Sequence, residues 1–183
     1  MSKHLGTESA VRRELLRLAL RNSTRSAPLQ LVAVCVVSAL GVQVGAWAAA
    51  FGAAALGLAI ACWRYSLAAR YKSSRDLNEQ EIFKATRELE GNSGLTGLLW
   101  LLCSVGIYPL LQGATATTYV VIVIGSSATA ALFMSLVGRS FLLLVIPSLG
   151  SVVLVSLVFA SVRSLPLAVL VGIFAITMIR AAK

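Results

Sequence analysis

Long runs without charged residues, interrupted once by a long polar segment, most constrain how this chain can fold. The polar segment spans residues 70–91 (RYKSSRDLNEQEIFKATRELEG), with apolar runs before and after it. With 58% hydrophobic and only 13% charged residues, the chain has too little polar surface for a water-soluble domain. Several runs approach the roughly 20 residues that a helix needs to cross a bilayer, and they lack the alternation of barrel strands. The sequence therefore predicts an all-α membrane protein.

The apolar runs predict a six-transmembrane-helix bundle in four parts. These are a basic cytosolic arm, a first membrane hairpin, a charged cytosolic linker helix and a four-helix membrane block, at residues 1–27, 28–69, 70–93 and 94–183. A helix stop before the third span is indicated by the run Gly91-Asn92-Ser93-Gly94. The predicted spans are 28–43, 47–68, 95–111, 117–137, 141–160 and 165–179.

The positive charges predict which way the bundle faces. Of the 16 Lys and Arg residues, only Arg163 falls in a connection on the side opposite the arm. Lys and Arg accumulate in cytoplasmic loops, so both the N-terminus and the C-terminus are expected in the cytosol. The net charge of +9 does not indicate nucleic-acid binding, because the basic residues adjoin apolar runs rather than base-stacking aromatics.

The basic arm has the pattern of an amphipathic helix on a membrane surface. Its arginines recur every four residues and are expected to contact anionic headgroups. Trp63 and Arg64 are predicted to anchor the second span at the same interface. The arm serves as a topology anchor in one interpretation and as a regulatory or partner-docking element in another. Its predicted anchoring residues are Arg13, Arg17, Arg21 and Arg25.

Small residues recur along the second predicted span at three- and four-residue spacing. Such a stripe lets a neighbouring helix approach closely. Packing within the bundle is the preferred interpretation, and a seam between two copies is the alternative. The residues are Ala48, Gly52, Ala55 and Ala59.

Residues typical of catalysis or metal binding are scarce in the predicted spans. Arg64 is the only charged residue within them, and the sole histidine, His4, lies in the arm. Intramembrane ionisable residues usually mark proton or ion pathways. Cys35, Cys62 and Cys103 form no CxxC pair. We therefore expect no enzyme activity in this chain, no metal and no cofactor.

Modest polarity within the apolar runs suggests a ligand pocket. Serine and glutamine side chains could line it, with aromatic rings at its outer edge, and a small hydrophobic or amphipathic ligand would suit it. In the alternative interpretation the hydroxyls bond backbone carbonyls one turn back and the rings form an interfacial belt. The pocket candidates are Trp47, Trp100, Tyr108, Gln112, Ser127 and Ser148.

Several short motifs resemble a membrane region of bacterial signalling proteins. They are Gly97-Leu98-Leu99-Trp100, Ile107-Tyr108-Pro109, the run around Gly125, Phe141 with Ile146-Pro147-Ser148, and Trp63-Arg64 following an outer Trp47. In those proteins an N-terminal multi-pass sensor region precedes a diguanylate cyclase, a cyclic-di-GMP phosphodiesterase or a histidine kinase domain. The motifs cover most of the chain.

The resemblance implies a membrane-embedded sensory and dimerising input module in the bacterial inner membrane. Its last helix would pass a signal to a cytosolic output domain, which is expected to follow Lys183 in the full-length protein because no catalytic motif lies within the chain. The expected partners are the lipid bilayer, a second copy and that output domain. A small oligomeric transporter or channel, or an assembly subunit of a membrane complex, remains the alternative.

Overall fold

The chain folds as a bundle of helices joined by short connections. The computed structural model describes residues 2–72, 78–134, 139–159 and 162–181, and within these ranges it contains six α-helices and one short 3-10 helix. The α-helices are α1 (Ser2–Gln43), α2 (Trp47–Lys72), α3 (Glu79–Gly106), α4 (Gly113–Met134), α5 (Ser140–Val158) and α6 (Leu165–Ala181), and the 3-10 helix Tyr108–Leu110 lies between α3 and α4.

Five stretches of the described residues are long and apolar enough to cross a membrane. They are Arg13–Gln43, Trp47–Tyr71, Glu79–Leu110, Gly113–Ala131 and Ser140–Val158. A sixth apolar stretch, Leu165–Arg180, is shorter. For the described residues, the prediction of an all-helical architecture with several helices able to span a membrane is therefore confirmed, whereas the count of six spans and the orientation of the termini stay predictions.

Helices α3 and α5 run side by side through the centre of the bundle. A Cβ at Gly97 would lie 2.5 Å from Cγ of Pro147 and 2.6 Å from the carbonyl oxygen of Leu143, so only glycine allows this approach. Farther along, Ser151 on α5 donates a hydrogen bond to Ser104 on α3 at 2.9 Å. The main apolar core forms around these two helices.

The first hairpin matches the predicted turn. Helix α1 ends at Gln43 and α2 begins at Trp47. Gly45 has a φ of +78°, a conformation that side chains disfavour. The amide of Ala46 donates to the carbonyl of Gly41 at 2.8 Å, which closes the turn.

The predicted helix stop at residues 91–94 is wrong, because α3 runs through it without a break. Asn92 and Ser93 are buried, and Ser93 donates its hydroxyl to the carbonyl of Leu89 at 2.9 Å. Gly91 leaves room for Trp63, whose ring would lie 3.3 Å from a Cβ at this position. Packing against α2 therefore outweighs the low helix propensity of two glycines.

The basic arm is also part of a longer helix, rather than a separate element. Helix α1 is 42 residues long and continues through Pro28. Its first half packs against the first half of α3, in a cluster that we call the basic-end cluster. The cluster consists of Leu16, Ala19, Leu20, Ala85 and Leu89, with Leu15, Tyr71 and Ile82 at its edge.

Polar contacts close the basic-end cluster and start α3. The Asn78 side chain accepts from the amide of Glu81, and the Glu81 carboxylate accepts from the amide of Asn78, which forms a capping box. Arg70 and Tyr71 at the end of α2 both reach Glu88, at 3.5 Å and 3.3 Å. Residues 73–77 of the charged segment lie outside the described residues.

The small residues of α2 do not pack within the bundle, contrary to the preferred interpretation. All four are exposed, and the residues that face α1 and α3 belong to the opposite side of the helix. Ala53 and Ile60 are buried there, and a Cβ at Gly57 would lie 2.8 Å from Val34. The exposed residues are Ala48, Gly52, Ala55 and Ala59.

Candidate functional site: a lateral cleft with a buried arginine

Arg64 lies inside the bundle rather than at its surface. The residue is only 3% exposed, so the prediction that it extends to the membrane interface is wrong. Its Nε donates to Oδ1 of Asn92 at 3.0 Å, and its Nη2 donates to Oγ1 of Thr96 at 3.2 Å. Both partners lie on α3, and their spacing of four residues places them on one face of that helix. The guanidinium is therefore directed into the protein.

The partners of Arg64 are held in turn by backbone carbonyls. Asn92 donates from Nδ2 to the carbonyl of Ile60 at 3.1 Å, one turn before Arg64 on α2. Thr96 donates its hydroxyl to the carbonyl of Asn92 at 2.9 Å. This leaves the Asn92 Oδ1 and the Thr96 Oγ1 lone pairs to accept from the guanidinium, so the orientation of each group is set by its neighbours.

No carboxylate neutralises Arg64 among the described residues. The ion pairs found there join Arg17 to Glu14 and Arg70 to Glu88. Both hydrogen-bond partners of Arg64 are neutral side chains. A buried cation whose partners are all neutral has no counter-charge, which is costly in an apolar interior.

Arg64 lines a cleft of about 350 Å³ between α1 and α4, which we call the α1–α4 cleft. Helices α2, α3 and α5 form its floor through Arg64, Thr96, Trp100 and Leu144. These four side chains are all buried. The walls come from α1 (Ser26, Leu29, Gln30, Val32, Ala33 and Val36) and from α4 (Ile122, Gly125, Ser126, Thr129 and Ala130).

The cleft is polar at one end and apolar at the other. Ser26 and Gln30 of α1, and Ser126 and Thr129 of α4, lie toward the end of the bundle that holds the basic-end cluster. Val36 and Ile122 lie toward the opposite end. The Nε2 atom of Gln30 is buried and has no hydrogen-bond partner among the described residues. An acceptor in the polar end would satisfy it.

Of the six predicted pocket residues, only Trp100 lines the α1–α4 cleft. Trp47 is 55% exposed and stacks on Phe51, with ring centroids 6.1 Å apart. Gln112 is exposed in the connection before α4. The structure therefore does not bring the predicted set together in one pocket.

The remaining three predicted pocket residues are buried in the core. Ser127 and Ser148 face each other across α4 and α5 at 3.4 Å, and Ser148 also donates to the carbonyl of Leu144. Tyr108 stacks on Tyr119 with centroids 5.0 Å apart, and its hydroxyl lies 3.1 Å from Ser156. These contacts satisfy the hydroxyls within the bundle.

The predicted anchoring residues on α1 occupy the helix that leads into the cleft. Arg21 and Arg25 are exposed, and Arg25 lies one turn before Leu29 of the cleft wall. Arg17 is paired with Glu14 at 3.9 Å, and Arg13 lies on the same helix. Trp63 packs beside Gly91 on α3.

Sequence reasoning missed Gln30, Thr96 and Asn92 as members of the site. Asn92 was hidden in an apparent turn motif, while Gln30 and Thr96 are single polar residues in apolar runs. One signal for them was available in the sequence. Unpaired polar groups are costly in lipid, so an arginine and isolated polar residues at comparable depth in different spans are expected to contact one another.

These features define a polytopic α-helical membrane protein with a charged lateral cleft. The described residues contain no group of three or more His, Cys, Asp or Glu side chains that could hold a metal ion. No protein-family model, curated protein or solved structure matches the chain.

Proposed function

We propose that this chain is a membrane-embedded sensory module in which the α1–α4 cleft receives a signal and the basic-end cluster responds. One observation carries the proposal: α1 and α3 each contribute side chains to both places and run between them as unbroken helices. A shift of either helix at the cleft is therefore transmitted directly to the cluster. Such a module needs two packings of similar free energy, which an occupant of the cleft would bias.

The proposal places the protein in the inner membrane of a bacterium, with six spans and with both termini in the cytosol. The positive charges support this orientation. The length of α6, which has 17 residues, is within the range for a spanning helix. The basic-end cluster then lies on the cytosolic side.

A second route would connect the cleft to α6 and to a cytosolic output domain. Leu144 of the cleft floor belongs to α5, and α5 packs against α6. The amide of Ser164 donates to the carbonyl of Ser156 at 3.1 Å, and Val171 of α6 is fully buried. A cyclase, phosphodiesterase or kinase domain after α6 is the output that the resemblance implies.

Filling the cleft with a side chain tests the sensory proposal without a ligand. A Cβ at Gly125 meets no atom within 4 Å, so Gly125→Trp places a large ring in the cleft space. Spin labels at the exposed positions Leu18 and Phe83, in a cysteine-free background, report the separation of α1 and α3 beside the basic-end cluster. We expect double electron–electron resonance in lipid nanodiscs to show a shift of about 2 Å in the distance distribution.

Gly172→Trp is the matched control for this experiment. Gly172 also has open space around its Cβ position, but it lies on α6, outside the cleft. Its distance distribution should equal that of the parent protein. Identical distributions for Gly125→Trp and the parent would rule out the sensory proposal.

The exposed small-residue side of α2 predicts where two copies meet. Cys62 lies on this side, three residues after Ala59, whereas Cys35 is exposed on α1. In single-cysteine variants, mild oxidation of native membranes should give covalent dimers through Cys62 and not through Cys35. Non-reducing gel electrophoresis provides the measurement. Equal cross-linking at both positions would argue for random collision rather than a dimer through α2.

A further inference from the structure

We propose that the occupant of the α1–α4 cleft is a long-chain fatty acid, with its carboxylate on Arg64 and its acyl chain extending toward Val36 and Ile122. This inference deepens the proposed sensory function and rests on it for its biological meaning. The binding itself can be tested separately. The charge, the polar contacts, the wall chemistry and the depth of the site each support this ligand class.

An anionic ligand would neutralise the buried positive charge of Arg64. The side chain is buried, its two hydrogen-bond partners are neutral, and no carboxylate of the described residues pairs with it. Guanidinium carries five N–H donors in a plane, and its geometry matches the two oxygens of a carboxylate. The bonds to Asn92 and Thr96 use Nε and one N–H of Nη2, which leaves the Nη1 edge for a ligand.

Gln30 supplies a second, independent donor. Its buried Nε2 has no partner among the described residues, and the residue lines the same cleft as Arg64. A buried amide without an acceptor is destabilising, and a carboxylate oxygen within its reach would relieve this. Gln30 of α1 and Arg64 of α2 thus both line the polar end of the cleft, where an acidic head would be placed.

The walls of the cleft suit one hydrocarbon chain. Leu29, Val32, Ala33 and Val36 form one side along α1, and Ile122 and Ala130 lie on the other. The volume of about 350 Å³ is near the lower end of the range for small-molecule sites, which favours a single-chain amphiphile over a two-chain lipid. Leu29 and Val32 are largely exposed, so the chain can enter sideways from the bilayer.

The depth of Arg64 favours a compact head. The helical rise from Trp47 to Arg64 is about 25 Å, which is less than the roughly 30 Å thickness of the hydrocarbon core. With Trp47 at one interface, Arg64 lies inside the core near the other. A carboxylate attached directly to its chain reaches this depth, whereas a phospholipid would have to draw its phosphate and glycerol below the headgroup layer.

Quenching of Trp100 by a brominated fatty acid tests the proposal. Trp100 is the only tryptophan in the cleft, so Trp47→Phe with Trp63→Phe isolates its fluorescence. The protein is placed in phosphatidylcholine nanodiscs at about pH 9, where the acid is ionised. We expect dibromostearate to quench Trp100 saturably, and its methyl ester to require at least a tenfold higher concentration.

Two variants and two controls connect the quenching to the site. Arg64→Gln should weaken dibromostearate binding at least tenfold, and Gly125→Leu should weaken it similarly by filling the cleft while leaving Arg64 in place. Arg70→Gln, which removes an exposed charge, and Gly172→Leu, which adds bulk outside the cleft, should bind like the parent. If Arg64→Gln fails to fold, the comparison of Gly125→Leu with Gly172→Leu still shows whether the acid occupies the cleft.

The outcomes separate the ligand from the sensory function. Equal quenching by acid and ester would overturn the role of Arg64, and tighter quenching by a brominated anionic phospholipid would overturn the choice of a fatty acid. A distance shift in Gly125→Trp without dibromostearate binding would reject the ligand and keep the sensory proposal. Binding without any distance shift would keep the ligand and reject the sensory proposal.

Discussion

The Gly97→Ala variant should be less stable than the parent by about 2 kcal/mol. One added methyl group would lie 2.6 Å from the backbone oxygen of Leu143 and 2.5 Å from the Pro147 ring, and neither atom can rotate away. Helices α3 and α5 must then separate, which costs about 1–3 kcal/mol or more for overpacking. The intrinsic preference of alanine for helices offsets part of this cost.

Gly94→Ala is the control for that variant on the same helix. A Cβ at Gly94 meets nothing within 4 Å, so only helix propensity applies, and a gain of up to about 1 kcal/mol is expected. Reactivity of the buried Cys103 with a fluorogenic maleimide during heating reports unfolding, once Cys35 and Cys62 are replaced by serine. Equal unfolding temperatures for the two variants would contradict the tight α3–α5 contact.

Removing the partner of a buried arginine should be the most damaging polar substitution in the bundle. Asn92→Leu deletes the acceptor of the 3.0 Å bond from Arg64 and leaves the guanidinium with Thr96 alone. Losing a hydrogen bond to a buried charged group costs about 1.5–3 kcal/mol. We expect Asn92→Leu to approach this range in the same thermal assay.

A double-mutant cycle shows whether this cost belongs to the pair. Arg64→Met combined with Asn92→Leu removes the charge together with its acceptor, so the double variant should be more stable than the sum of the single effects predicts, by at least about 1 kcal/mol. Arg70→Ala, which breaks a partly exposed ion pair with Glu88, should cost less than about 1 kcal/mol. Additive effects of Arg64→Met and Asn92→Leu would show that the two side chains do not act as a unit.

Sequence reasoning succeeded where composition alone decides the outcome. Apolar runs of sufficient length form helices in lipid because every backbone group must be bonded within the segment. The ends of the first hairpin at Gln43 and Trp47 followed from the glycine and the interfacial tryptophan of the turn. These signals are local, and the sequence contains them completely.

Sequence reasoning failed where the position of a side chain depends on residues that are distant in the chain. Arg64 stands beside Trp63 and Tyr65 at the end of an apolar run, a pattern shared by arginines that extend to the headgroups. Its actual position depends on Asn92 and Thr96, which are far away in the chain and on another helix. The same contact explains α3, since a segment with two glycines becomes helical when α2 packs along it.

A small tilt of α1 near the cleft would produce a larger displacement at the N-terminal end of this helix. Pro28 has no N–H to donate to the carbonyl of Thr24, so α1 is one hydrogen bond short beside the polar end of the cleft. From there to Ser2 the helix extends for about 39 Å. A tilt of about 5° at Pro28 would therefore displace the far end by about 3 Å.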